Sequence, residues 1–191
     1  LTHILVTTGP ESSGKTTLAT QLSQALQAPL VTEASRDYLS DLYRRQPGIR
    51  YTQQDLLEIA RMQHAREQQA LQTKPQWLVC DTDLLVIVIW SEVRFGNCEP
   101  ALLQLFQAAL ATNKRTYLLC DPGIPWQPDP LRENPLDREW LFGLYRDRLS
   151  DMGLASMTLV GDQVERLQLV RRHLQSHLDT PQPNPTAATK R

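Results

Sequence analysis

The chain has 191 residues, 41% hydrophobic and 21% charged, with a formal net charge of −1. This length suits one domain with a full core, and near-neutrality excludes a global basic field that would draw the protein to nucleic acid or an anionic membrane. Cys80, Cys98 and Cys120 lack metal-ligand spacing, and the longest strongly apolar run, Leu84 to Trp90, is far too short to span a bilayer. With no charged start leading into a long apolar stretch, a signal peptide is not expected, and a reducing cytoplasm fits best. Because the sequence begins at Leu1 rather than Met, the expectation is a trimmed chain or one domain of a longer protein.

His3 to Thr8 reads as a buried strand that hands over to Gly-Pro-Glu-Ser-Ser-Gly-Lys-Thr-Thr at 9–17. This stretch fits the Gly-x-x-x-x-Gly-Lys-[Ser/Thr] pattern of a phosphate-binding loop. Gly9 and Gly14 let the backbone through Glu11, Ser12 and Ser13 wrap an anion, while Lys15 reaches the β- and γ-phosphates. Thr16 offers a hydroxyl to Mg²⁺, and Thr17 completes the nucleotide-binding set. Leu18, Leu22, Ala25 and Leu26 recur at helical spacing, so the first helix is predicted over 15–27, ended by Ala28-Pro29.

Leu30 to Thr32 reads as a short second strand delivering Glu33, followed by a helix over 34–45. Thr52 is the expected N-cap of a long helix reaching about Gln72. Its inward positions are Leu56, Ile59, Ala60, Gln63 and Ala70, with Arg61, Arg66, Glu67 and Gln68 expected in solvent. Trp77 to Cys80 is the third strand, ending in Asp81-Thr82-Asp83, and the apolar run from Leu84 is read as a helix starting at Asp83. Pro100 to Thr112 is a helix and Arg115 to Cys120 the fourth strand. Five prolines between Asp121 and Pro135 exclude regular structure there. A further helix carries Trp140, Leu141, Tyr145 and Leu149, with Trp77 and Trp140 expected in the core. Met157 to Val160 is the fifth strand, and Asp162 N-caps a last helix to about His177. Residues 179–191 are an expected disordered tail.

Strands alternating with helices predict an α/β fold: a P-loop domain over 1–178 with a five-stranded parallel sheet covered by helices on both faces and a Pro-rich lid at about 121–138. Ligands gather at the carboxyl ends of such strands, and that rule selects the candidates. Asp81 occupies the position of a carboxylate that holds Mg²⁺ together with Thr16. Asp83 either shares that task, orients an acceptor, or only caps the next helix. Glu33 is placed to take a proton from an acceptor hydroxyl, with Arg36 one turn further on binding substrate or neutralising the carboxylate. A lid arginine can stabilise charge on a transferred phosphoryl group: Arg132 first, then Arg138. Tyr38 and Trp126 lie near the expected cleft, where each could stack on a ring, and Asp129 lies in the lid. The histidines read as structural.

The loop at 9–17, Glu33-Ala-Ser-Arg36-Asp37-Tyr38, Asp81-Thr-Asp83 with Trp90, and Pro125-Trp126 leading to Asp129 and Arg132 together resemble the kinase domain of NadR-type nicotinamide riboside kinases and their AAA-like ATP-binding relatives. The resemblance covers about Leu5 to Leu149. It implies transfer of the γ-phosphate of ATP to the 5′-hydroxyl of a ribonucleoside, with Mg²⁺, a sheet in nucleoside-kinase order and a closing lid. This chain departs from the family at Val86-Ile87, where a Thr-Thr pair is common, at Thr32, where some members carry an aromatic residue, and at Pro130 after Asp129. The first two bear on base recognition. Two other readings compete: a kinase of nucleic-acid 5′-ends using Arg36, Arg44, Arg45, Arg50 and Arg61, and a nucleotide-sensing regulator without turnover.

Overall fold

A computed structural model describes residues 1–127 and 137–178, with side chains described as far as residue 175. Five strands, β1 (His3–Thr8), β2 (Leu30–Val31), β3 (Trp77–Asp81), β4 (Lys114–Cys120) and β5 (Ser156–Leu159), form one parallel sheet in the order β2-β3-β1-β4-β5. Among the described residues, seven helices connect and cover them: α1 (Lys15–Leu26), α2 (Ala34–Arg45), α3 (Gln53–Leu71), α4 (Leu84–Phe95), α5 (Pro100–Leu110), α6 (Arg138–Asp151) and α7 (Gln163–Leu178).

Ile4 to Val6, Leu78 to Cys80 and Tyr117 to Cys120 are apolar or aromatic at consecutive positions because both faces of the sheet are covered there. Ile4, Val6, Leu78, Cys80, Tyr117 and Leu119 point to one core, packed against helices α2 to α6. Leu5, Val79, Leu118, Cys120 and Leu159, one residue out of step, point to the other, packed against α1 and α7. Cys80 and Cys120 are thus small core residues of opposite faces.

Helix starts follow local chemistry. Thr52 and Asp55 form a reciprocal capping box on α3, and Asp162 and Glu165 do the same before α7, each accepting at 2.9 Å from the other's backbone N–H. The run from Leu84 is a helix, capped by the Asp83 carboxylate on the Leu85 N–H at 3.0 Å.

Two expectations are corrected. Trp140 is 59% exposed: the buried stripe of α6 is Leu141, Tyr145 and Leu149 at four-residue spacing, and Trp140 stands one position off it. Glu67 is 4% exposed rather than solvated. It is held inside by Arg115 of β4, itself buried. The tail at 179–191 lies outside the described residues.

Candidate functional site

The phosphate loop joins the end of β1 to the start of α1. Gly9 (φ 128°) passes so close to β4 that a Cβ there would lie 2.7 Å from the Cys120 carbonyl oxygen. Gly14 (φ 81°) is the N-cap of α1, which carries no side-chain cap, so its first-turn N–H groups face the loop's interior. Ser13 Oγ and Lys15 Nζ both donate to the Pro10 carbonyl, at 2.8 and 2.6 Å, fixing the curl of the loop. Ser12 takes a left-handed φ of 53°.

Residues far along the chain clamp this loop from behind. Arg166 of α7 is fully buried and donates to the carbonyls of Ser13 (2.6 Å), Asp121 (2.9 Å) and Gly161 (2.9 Å). Gln163 donates to the Gly14 carbonyl at 3.2 Å. Arg138 donates to Ser12 O at 3.0 Å and Ile124 O at 2.8 Å and also reaches Pro122 O, with its guanidinium 5.8 Å from the Trp126 ring. Arg138 therefore fastens the 122–124 turn onto the phosphate loop. Arg166 and Gln163 were missed in the sequence, where both read as ordinary residues of an amphipathic helix.

Asp81 and Asp83 separate. Between them Thr82 adopts a left-handed φ of 66°, unusual for a β-branched residue, and is buried. Its N–H donates to Thr7 O at 3.1 Å and its carbonyl accepts from Gln63 Nε2 at 3.4 Å, which hold the kink. Asp81 turns to the phosphate loop, where Thr16 and Thr7 donate to it. Burial raises its pKa, the Thr16 hydrogen bond opposes that, and the nearby charge of Glu33 raises it further. Asp83 turns into the core, accepting from Tyr117 (2.8 Å) and facing Arg115 (3.4 Å), so the expectation that it meets the acceptor is not met. It does cap α4.

The Thr16–Asp81 pair fits Mg²⁺. A hydroxyl and a buried carboxylate are hard oxygen donors, and Thr8 Oγ1 at the neighbouring strand end is buried with no hydrogen-bond partner. Among the described residues no group of three or more His, Cys, Asp or Glu is arranged to hold a metal. Mg²⁺ bound with substrate phosphates and waters needs no such cage.

A cleft of about 380 Å³ runs from the phosphate loop past Glu33, Ser35 and Arg36 into a lobe between α2, α4 and α6. Glu33 stands at the N-cap of α2 and accepts from Ser35 Oγ at 2.6 Å. The α4 wall is the stripe Val86, Ile89, Trp90, Val93, at helical one-face spacing. Opposite it stand Leu39 of α2 and Leu141 and Tyr145 of α6. A two-pronged ion pair from Arg148 to Glu92 (2.6 and 3.1 Å) ties α6 to α4 across the lobe.

Of the sequence candidates, Gly9, Glu11 to Thr17, Glu33 and Arg36 all border this cleft, with Asp81 behind Thr16. Tyr38 does not border it. Its hydroxyl donates to Asp55 of α3 at 2.8 Å, on the other flank of α2. Trp126 lies against Arg138 instead of lining the cleft, whereas its neighbours Ile124 and Gln127 do line it. Asp129 and Arg132, with half of the expected lid, lie outside the described residues. Of the arginines that a nucleic-acid reader would use, Arg44 and Arg45 share Asp41, and Arg61 pairs with Glu58. No helix among the described residues is long and apolar enough to cross a membrane.

A family model described as an AAA domain matches residues 4–166. The fold is similar to that of NadR protein solved in complex with NR (TM-score 0.71, 18% identity) and in complex with NAD and AMP-PNP (TM-score 0.67, 15% identity). In both comparisons 96% of this chain aligns, but it spans only 52% of the NadR chain. It is also similar over 91% of its length to 99% of the deoxyadenosine kinase from M. mycoides, with a TM-score of 0.58 and 15% identity. Comparison with curated proteins returns no match. At these identities the likeness establishes the α/β P-loop fold.

Proposed function

This chain belongs to the AAA-domain family, and we propose that its phosphate loop holds ATP and serves a small-molecule kinase. The acceptor we infer is the 5′-hydroxyl of a ribonucleoside, with nicotinamide riboside a specific candidate because it is the ligand named for one NadR complex of similar fold. One observation carries the reading: a single cleft joins the phosphate loop, Glu33 and an apolar lobe. A passive nucleotide switch has no need of a lobe with a carboxylate at its mouth.

The residues divide the work. Backbone N–H groups of 9–17 and the α1 N-terminus hold the triphosphate. Lys15 exchanges the Pro10 carbonyl for phosphate oxygens, neutralising charge that develops on the transferred group. Thr16 and Asp81 would hold Mg²⁺, which would neutralise charge on the phosphates. Glu33 accepts the proton of the acceptor hydroxyl as its oxygen bonds to the γ-phosphorus and the bridging oxygen leaves with ADP. Arg132 remains the proposed lid arginine.

The test is ADP release on adding a nucleoside panel to the protein with ATP and Mg²⁺. Turnover is expected with at least one 5′-hydroxyl nucleoside, lost in Lys15→Ala, and cut about 10²- to 10⁴-fold in Glu33→Gln with ATP binding retained. No turnover above the ATPase background across the panel would overturn the reading. Turnover competed by a 5′-hydroxyl oligonucleotide and steeply weakened by salt would shift it to nucleic-acid ends.

A further inference from the structure

An acidic residue at a helix N-cap ordinarily turns its carboxylate back onto the N–H groups of the first turn, which satisfy it and welcome its charge. Glu33 is the N-cap of α2 and makes no such bond. The first N–H of the helix, that of Ala34, is met instead from α3, by Gln63 Oε1 at 2.7 Å. Glu33 borders the cleft beside the phosphate loop.

Ser35 is the group that holds it there. Its hydroxyl donates to Glu33 Oε1 at 2.6 Å, the short contact of a hydrogen bond whose acceptor carries charge. Ser35 lines the same cleft but is only 7% exposed, so water has little access to compete for the bond. Among the described residues no group donates to Glu33 Oε2. The two oxygens of one carboxylate are therefore unlike: Oε1 is committed to the serine, and Oε2 is left to a ligand. The last torsion of a glutamate side chain is broad, and a single hydroxyl proton spent on Oε1 narrows it.

We propose that Ser35 is a positioning residue for the phosphoryl transfer, holding Glu33 so that Oε2 takes the acceptor proton. This deepens the kinase reading and rests on it, with Glu33 as the base. In that step the acceptor O–H bond breaks, its oxygen bonds to the γ-phosphorus, the proton passes to Oε2 and the bridging oxygen leaves with ADP. Neutral Glu33 keeps the Ser35 hydrogen bond on its carbonyl oxygen, and Ser35 transfers no proton of its own. A carboxylate without this bond spends time turned away from the acceptor, so its loss falls on kcat and spares the binding of either substrate.

Ser35→Ala removes the hydroxyl and Ser35→Thr keeps it. Both are compared with wild type, Glu33→Gln and the double variant Glu33→Gln with Ser35→Ala. Coupled ADP release is followed on adenosine, uridine, cytidine and nicotinamide riboside, with ATP affinity from calorimetry and a thermal melt of each protein. On the best acceptor, Ser35→Ala should lower kcat about tenfold with acceptor KM and ATP affinity within about twofold, and Ser35→Thr should keep most of the rate. In the Glu33→Gln background the same Ser35→Ala change should alter kcat by less than about twofold, because the group it positions is gone. An equal loss in both backgrounds, a loss that follows KM or ATP affinity, or no loss at all overturns the proposal and leaves the kinase reading standing. If Glu33→Gln keeps the wild-type kcat, the proposal falls with its base while turnover still supports a kinase. No turnover on any of the nucleosides overturns both.

Discussion

The guanidinium of Arg115 grips the carboxylate of Glu67 with two hydrogen bonds, 2.6 and 2.9 Å, in the sealed interior between β4 and α3. Arg115 also faces Asp83 at 3.4 Å and donates to the Ala109 carbonyl at 3.3 Å, so one cation is shared by two buried carboxylates. Burial works against the charged guanidinium, but Glu67 and Asp83 outweigh it and raise its pKa. Glu67→Gln should cost about 3 kcal/mol in urea unfolding, because removing one member of a buried pair strands the other. The triple variant Glu67→Leu, Arg115→Met and Asp83→Asn, which removes every charge of the cluster, should recover at least half of that loss. A loss that grows further in the triple variant would show that the cluster itself is strongly stabilising.

Gln63 spans the two carboxylate-bearing segments of the cleft. Its Oε1 accepts from the Ala34 N–H at 2.7 Å, directly behind Glu33, and its Nε2 donates to the Thr82 carbonyl at 3.4 Å, directly behind Asp81. Gln63→Leu keeps the volume and breaks both links. For the proposed phosphoryl transfer kcat should fall about tenfold or more, with nucleotide affinity within twofold of wild type. Gln63→Glu, which still accepts from Ala34, should lie between the two. Steady-state kinetics beside calorimetric ATP binding separates these outcomes.

Arg166 is the one fully buried arginine among the described residues, and it satisfies three carbonyls that surround the phosphate loop. Arg166→Met removes all three bonds and leaves Ser13, Asp121 and Gly161 unsatisfied. Stability should fall by about 3 kcal/mol or more, and ATP affinity at least tenfold, since the loop's N–H groups lose their fixed aim. Arg166→Lys, able to keep one or two contacts, should retain part of both. Calorimetry at a temperature where both variants are folded reads the affinity effect apart from unfolding.

The Tyr38–Asp55 hydrogen bond gives the α2–α3 contact a signature in pH. Burial, then the bond to Asp55, push the Tyr38 hydroxyl up to about 12. A group whose pKa is raised on folding stabilises fully below its unfolded value, here 10.0, and that contribution fades as pH climbs toward 12. On the acid side, burial alone would raise Asp55, but hydrogen bonds from Thr52 and Tyr38 prevail and hold it below 3.8, so its contribution is lost as pH falls through that lowered value. Tyr38→Phe should cost about 1 kcal/mol at neutral pH and flatten the alkaline limb between pH 10 and 12. Urea midpoints across pH 7 to 11.5 check it.

The sequence was informative wherever chemistry is local. Strand runs, the capping residues Thr52, Asp83 and Asp162, and the glycine pair at 9 and 14 specify elements through neighbours within a few positions, so the α/β order and the phosphate loop could be read directly. It was least informative for polar residues whose partners are remote. Glu67 looks like a surface residue until Arg115, 48 positions later, is placed opposite it. Trp140 looks like core until the Leu141 stripe fixes the rotation of α6. The pair at 81 and 83 looks like one unit until the left-handed turn at Thr82 sends the two carboxylates to opposite sides.

The amino-acid order alone determined that a strand ends in a phosphate-binding loop and that Glu33 and Asp81 arrive at the same edge of a parallel sheet, because these follow from periodicity and from the direction in which parallel strands must run. Only the tertiary structure decided which groups are left to meet a substrate. Asp83, Tyr38 and Arg138 are drawn off to Tyr117, Asp55 and the loop carbonyls, while Tyr145, 112 positions after Glu33, comes to line the same cleft. A buried polar group must find its partner in space, and the distances that settle which partner it takes are set by packing between elements.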